Sequence, residues 1–438
     1  MQLPSGLLEI SLLALAAFLI RFLFVVLSYR GLPLSSNFEQ FGAEMGWTAR
    51  SIATGRGFSS PFLPQTGPTA LVCPLFPTLL AGIFKIFGVY TPAAAFVALS
   101  FTSALSSLTT AVIYLGMRPH FGRNTARLAA MLWSLYPYAV YYSAVYLWDC
   151  ALTSLLFAVC FFLALNKLPF CRTRAWTGYG ALFGVTALSN PSVLSLFPVL
   201  LGWAACRRVR TGGRVAVPLL ASCCALVLVL APWTVRNALA LHQPIVTRDG
   251  FWGEFYAGNS GDTSHSNPGW THPASNPAEM VQYQTRGELG YMEWKRVLSI
   301  QQVREHPAAF VAVSARRVLR FWTGYWSFAR TYLADEALDV PNVPFCVLLT
   351  ALTVFGCRRL WQNGRGTALL FVATLLVFPL PYYITHASVD YRQPIEPMIV
   401  AVIAFACAAT VRTHRARKQA ERENHSLLSE NELAVAAD

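Results

Sequence analysis

Solid apolar runs of roughly 15 to 25 residues recur along the chain, broken by short links that carry most of the Lys and Arg. A helix needs about 20 apolar residues to cross a hydrocarbon core about 30 Å thick, whereas a membrane barrel would alternate apolar and polar positions. The pattern therefore predicts an all-α polytopic membrane protein with about ten transmembrane helices, within a range of 9–12. Spans are expected at about 7–27, 92–116, 125–139, 142–165, 177–189, 192–205, 215–233, 341–357, 367–384 and 395–411.

Two long stretches escape this pattern, at 29–91 and 234–340. Within the first, residues 44–55 place Met45, Ala49, Ile52 and Ala53 on one helical face, with Gly55 suited to end the helix. Residues 74–87 are apolar but too short to span and carry Lys85 near their end, so an interfacial or re-entrant helix is expected. Within the second, Pro277 suits the start of a helix over 277–305, on which Met280, Tyr283, Tyr291, Trp294 and Leu298 keep near-helical spacing. Residues 307–327 set Arg316, Arg317 and Arg320 beside Phe310, Val318, Phe321 and Trp322, a composition suited to a membrane surface.

Composition fits the spans: 55% of the 438 residues are hydrophobic and 13% charged. A formal charge of +13 could suggest nucleic acid, but the basic residues sit in links between spans and read as topology. Links with Arg118, Arg123 and Arg127, with Lys167, Arg172 and Arg174, with Arg207, Arg208, Arg210 and Arg214, and with Arg358, Arg359 and Arg365 alternate with links poor in Lys and Arg. The positive-inside rule puts the basic links and both termini in the cytoplasm. The first span lacks a basic start and a cleavage pattern, so it is expected to be retained. Residues 1–411 then form one membrane domain, with outer loops at 29–91 and 234–340, and residues 412–438 a disordered cytoplasmic tail. The ten cysteines show no metal-ligand spacing. Arg21, inside the first span, either lines a cavity or is paired structurally.

On this topology five outward elements carry unusual polarity: Glu39 and Glu44; Asp149; Asn190; Arg236 with Asn237; and 384–397, with His386, Tyr391 and Arg392. Acidic residues at a bilayer boundary can simply mark the water interface. Two carboxylates and two arginines at one depth also suit transfer from a lipid-phosphate donor. Arg236 or Arg392 could hold the phosphate in bidentate fashion, and a carboxylate could take a proton from an attacking hydroxyl. The chain has no Walker loop, dinucleotide fingerprint or H-E-x-x-H. A carrier or flippase is the alternative, although no internal repeat or paired broken helix supports it.

Four stretches carry a resemblance: EMGWTARSIATGRGFSSPF with GPTALVCPLFPTLLAGIFKIFG; YSAVYLWDCALTSLLFAVCFFLAL; APWTVRNALALHQPIVTRDG; and YRQPIEPMIVAVIA. In order and spacing they resemble the membrane-embedded C-type glycosyltransferases, close to the family 39 group of protein O-mannosyltransferases and the lipid A aminoarabinose transferase. The resemblance implies a polyprenyl-phosphate-linked sugar as donor, a divalent metal left open, and a lipid, glycan or protein acceptor at the outer face of a bacterial inner membrane. It implies Glu44, or else Glu39, as catalytic base, although the family's Asp stands a few residues earlier, where this chain has Phe41 and Gly42. Asp149 matches the second acidic position. Arg236, Arg392, His386 and Lys85 are the expected phosphate-binding set, and Glu39, Tyr142, Asn190, Asn237 and Tyr391 the expected pocket.

Overall fold

The computed structural model describes residues 5–29, 41–262, 264–266 and 269–435. Glu39 lies outside the described residues. Among the described residues the chain is helical and holds no strand, only an isolated bridge between Ser59 and Pro68. The helices are α1 (Ser5–Ser28), α2 (Ala43–Ala53), α3 (Leu75–Phe87), α4 (Pro92–Leu135), α5 (Pro137–Ala144), α6 (Cys150–Asn166), α7 (Thr173–Ala187), α8 (Phe197–Arg210), α9 (Ala216–Leu241), α10 (Phe251–Asn259), α11 (Pro277–Glu305), α12 (Pro307–Thr323), α13 (Arg330–Asp335), α14 (Asp339–Asn363), α15 (Arg365–Val377), α16 (Leu380–Ile384) and α17 (Glu396–Val435).

Local chemistry sets several of these starts. The Thr91 side chain accepts from the Ala94 amide, and Pro92 supplies a preset first turn for α4. Asn276 and Pro277 do the same for α11. Among the described residues, seven helical stretches are long and apolar enough to cross a membrane. One of them, α4, is two passes. At Gly122 the backbone turns to φ 78°, ψ 169°, a region open to glycine. Trp133 Nε1 then donates to the Ser106 carbonyl at 2.9 Å. In a straight helix those residues would stand about 40 Å apart, so the chain doubles back. The shorter α6 and α7 lie inside the bundle.

The packing is inside-out relative to a soluble protein. α1 presents Leu8, Leu12, Leu15, Leu19, Leu23 and Leu27 outward while Arg21 is fully buried. Arg21 donates to Ser106 Oγ and to the carbonyls of Ala17, Trp133 and Ser134, so it is a structural tie between α1 and the two arms of α4. Successive links alternate between two faces. Arg208 donates to the carbonyls of Pro169 and Cys171, joining the 167–172 link to the end of α8 on a basic face. The opposite, loop-rich face carries α2, α3 and α10–α13.

Three departures from the sequence reading matter. The run expected as one span over 142–165 is broken: α5 ends at Ala144, α6 begins at Cys150, and Asp149 lies in the link between them, just before α6 and without a side-chain capping bond. The expected helix 277–305 bends at Gly287, φ 67°, which turns Glu288 inward. Beyond Arg412, where a disordered tail is expected, α17 continues to Val435, its i,i+4 pair Arg417–Glu421 at 2.8 Å.

Candidate active site

A cavity of about 410 Å³ opens on the loop-rich face, where four links meet. The α5–α6 link brings Trp148 and Asp149, the turn before α8 brings Asn190 and Ser192, the segment around α10 brings Thr247, Arg248 and Glu254, and the stretch from α16 to α17 brings Tyr382, His386, Asp390 and Tyr391. Met45 of α2 closes one side.

Arg248 is the cation inside. Its Nη2 donates to Glu254 Oε1 at 2.9 Å, and its side chain stays 31% exposed, to the cavity. No other hydrogen bond of its guanidinium is made among the described residues, so the remaining donors point at whatever enters. Burial alone would pull its pKa down, but Glu254 outweighs this and the net direction is up. Glu254 is the hub. Burial pushes its carboxyl up, yet His386, Arg248 and His272 together hold it below the ordinary range. His386 Nδ1 lies 3.1 Å from Glu254 Oε2, close enough for an ion pair though not angled as a hydrogen bond. Its Nε2 meets the Tyr391 hydroxyl. Burial lowers the His386 pKa, so the ring tends to neutral. Asp149 is 3% exposed; burial pushes its carboxyl up to about 6, against hydrogen bonds from Thr153 and Asn190 and the charge of Arg248. Glycine fixes one wall: a Cβ on Gly258 would stand 1.8 Å from the Thr385 carbonyl, so α10 rests directly on the backbone before His386.

The structure brings Asp149, Asn190, His386 and Tyr391 together in this cavity. Glu44 stands beside it, next to Met45, with Oε1 3.2 Å from His272 Nε2. Tyr142 stacks on Tyr138, centroids 6.2 Å apart, behind Asp390. Of the expected phosphate set, His386 lines the cavity and Arg236, Arg392 and Lys85 do not. Arg392 is 0% exposed; it is bound to Glu396 and donates to the carbonyls of Phe321 and Trp322. Arg236 donates to the carbonyls of Phe58 and Thr69 and lies over the Phe58 and Trp233 rings. Asn237 accepts from Arg236 and donates to the Ile245 carbonyl, so the pair anchors the strap leading to Arg248 rather than lining the site. Lys85 is exposed on α3. Sequence reading missed Arg248, Glu254 and Asp390. Arg248 does lie in the quoted stretch ending TRDG, twelve residues past Arg236.

Next to Arg248 is a second acidic pair. Glu288 accepts from Thr69, from the Ala70 amide at 2.6 Å and from Tyr283 at 2.6 Å. Asp249 lies against it with neither carboxylate oxygen hydrogen-bonded to a donor among the described residues. A proton shared with Glu288 makes that contact favourable. Burial and Glu288 push the Asp249 carboxyl from its usual 3.8 up to about 8. Between those values the folded chain holds a proton that the unfolded chain has released, so stability present at low pH is lost as pH rises toward about 8. The melting temperature in detergent should fall between about pH 5 and pH 8, and Asp249→Asn should flatten that slope. Equal slopes in both proteins would refute the shared proton.

A groove of about 580 Å³ runs from beside the cavity into the lipid-facing side of the bundle, lined by Val318, Leu319, Trp322, Val354, Leu375 and Leu376. Its upper end is tied to the cavity wall: Trp322 Nε1 donates to the Tyr383 hydroxyl at 2.7 Å, and Phe321 stacks on Tyr382, centroids 6.0 Å apart. No three His, Cys, Asp or Glu side chains converge as a metal site among the described residues.

With this geometry in place, three comparisons bear on the chain. Residues 69–234 match the family model described as dolichyl-phosphate-mannose-protein mannosyltransferase. A comparison with curated proteins finds no match. Among solved structures, the archaeal oligosaccharyltransferase AglB from Archaeoglobus fulgidus, in complex with an inhibitory peptide and a dolichol-phosphate, superposes with a TM-score of 0.51 at 14% identity, over 93% of this chain and 52% of that one. The same enzyme in complex with Zn and sulfate gives 0.52 at 11% identity, over 92% and 50%. ArnT from Cupriavidus metallidurans bound to undecaprenyl phosphate gives 0.35 at 12% identity, over 92% and 78%, too loose to carry an argument. The chain spans about half the length of the oligosaccharyltransferases it matches. Its fold is similar to that of the archaeal oligosaccharyltransferase AglB.

Proposed function

We propose that this protein moves a sugar, a hexosyl or pentosyl unit, from a polyprenyl-phosphate donor to an acceptor at the loop-rich face. By the positive-inside rule that is the outer face, with both termini in the cytoplasm, and the resemblance to the membrane-embedded glycosyltransferases implies a bacterial inner membrane. The observation that carries this reading is the Arg248 guanidinium, open to a polar cavity that adjoins an apolar groove facing lipid. One guanidinium in a largely enclosed site suits a phosphate, which it binds and then stabilises as the leaving group. The groove suits the prenyl chain. His386, Tyr382 and Tyr391 surround the same space with hydrogen-bonding groups for phosphate or sugar.

In this reading the acceptor hydroxyl enters past α2. Glu44, the carboxylate beside the mouth, takes its proton as the acceptor oxygen bonds to the anomeric carbon and the phosphate departs toward Arg248. His272 holds the Glu44 carboxylate in place. Asp149, deeper, is the second carboxylate; ionised above about pH 6, it orients the sugar through its hydroxyls. The acceptor is a lipid, a glycan or a protein.

Glu44→Gln tests the assignment. In nanodiscs with radiolabelled polyprenyl-phosphate sugar and a mixed lipid and peptide acceptor pool, transfer should fall by about 10²-fold or more while donor binding persists. Normal turnover would remove Glu44 from the mechanism. Labelled donor that crosses the bilayer with no new glycosidic bond would favour the carrier or flippase reading.

A further inference from the structure

A second concave site lies on the basic face, at the far ends of two spans that also border the active-site cavity. It has a volume of about 900 Å³ between the end of α8 and the start of α15. Arg207 and Arg210 come from α8, Arg365 opens α15, and Trp203 and Trp361 flank them. Val199 and Trp203 on α8, facing Leu369, Leu370 and Ala373 on α15, continue the wall as an apolar ledge into the bilayer.

Basic residues at this face are ordinary for a polytopic protein. What sets these three apart is that they are uncommitted and converge. Arg208, next in sequence, donates to the carbonyls of Pro169, Cys171 and Arg214. Arg123 and Arg127 are paired with Glu9. Arg207, Arg210 and Arg365 make no ion pair and donate no hydrogen bond among the described residues; Arg207 lies over the Trp203 and Phe170 rings, 5.1 and 5.6 Å from their centroids. No acidic side chain lines the pocket, whereas three line the active-site cavity. The site is also held in shape: Trp203 Nε1 donates to the Gly366 carbonyl at 3.0 Å, pinning α8 to the first turn of α15.

We propose that this pocket binds an anionic phospholipid of the cytoplasmic leaflet. Its phosphate would sit among Arg207, Arg210 and Arg365, and an acyl chain would lie along the ledge between α8 and α15. Three guanidiniums at headgroup depth match the phosphate charge, two indoles match the interface, and the ledge runs where an acyl chain runs. The proposal stands apart from the glycosyltransferase reading.

The test is native mass spectrometry of the purified full-length protein in detergent, titrated with phosphatidylglycerol, phosphatidylcholine and inorganic phosphate. Wild type should retain phosphatidylglycerol at least about 10-fold more tightly than phosphatidylcholine, with salt weakening the difference. The R207Q/R210Q/R365Q triple variant should lose that preference. These side chains make no hydrogen bonds among the described residues, so the fold should persist, which thermal unfolding will check. R172Q/R174Q, on the same face outside the pocket, should keep the preference. Equal retention by wild type and triple variant would overturn the proposal, as would equal loss in the control. Displacement of the lipid by millimolar inorganic phosphate would mean a small-anion site instead.

Discussion

Arg248→Ala should abolish detectable sugar transfer, with a loss of about 10²–10³-fold or more, and should weaken donor binding as well. Removing one donor aimed at a developing oxyanion typically costs about 10²–10³ in rate. Here the donor is a full charge, and its loss also leaves Glu254 without its guanidinium partner. Arg248→Lys should recover only part of the activity, because an ammonium supplies one point of contact where a guanidinium supplies a fork. The decisive comparison is with Arg236→Lys. Arg236 spends its guanidinium on the backbone of residues 58 and 69, so that variant should bind donor normally whenever it folds. Donor binding and turnover are measured in nanodiscs on each variant. If Arg248→Ala turned over normally, the phosphate would have to lie elsewhere.

The largest expected effect on stability is at Arg392. Its guanidinium is fully buried, paired with an equally buried Glu396, and reaches α12 through the carbonyls of Phe321 and Trp322. Breaking a buried pair from one side strands a charge and costs about 3–5 kcal/mol, whereas replacing both members with apolar groups costs far less. Arg392→Leu should therefore destabilise the detergent-solubilised protein by about that amount, and Arg392→Leu with Glu396→Leu should recover most of it. Chemical unfolding in mixed micelles reads both. Identical losses in the single and double variants would show that the carbonyl contacts, not the ion pair, carry the effect.

These two arginines also explain what the sequence can and cannot reveal. Spans are legible because lipid imposes a one-dimensional rule, and helix starts such as Thr91-Pro92 and Asn276-Pro277 are legible because capping is local. The role of an arginine is not local. Arg236, Arg248 and Arg392 sit in similar polar stretches, and only their partners separate them. Arg236 finds its carbonyls 167 and 178 residues upstream, and Arg392 finds its own about 70 residues upstream. Asp149 and His386 were found because an acidic or imidazole group at the edge of an apolar run is conspicuous. Glu254 and Asp390 were not singled out, since their neighbourhoods are already polar. The break before α6 was hidden because Tyr142 to Cys150 is nearly all apolar and reads as continuous helix.

The contact of Gly258 with the Thr385 carbonyl has a consequence for biogenesis. It seats the wall carrying Arg248 and Glu254 against one carrying His386, Asp390 and Tyr391, which leaves the ribosome more than 130 residues later. Until the last two passes insert, the nascent chain has a cation and no chamber around it. Translation must therefore run past α16 before the walls of the cavity around Arg248 can meet.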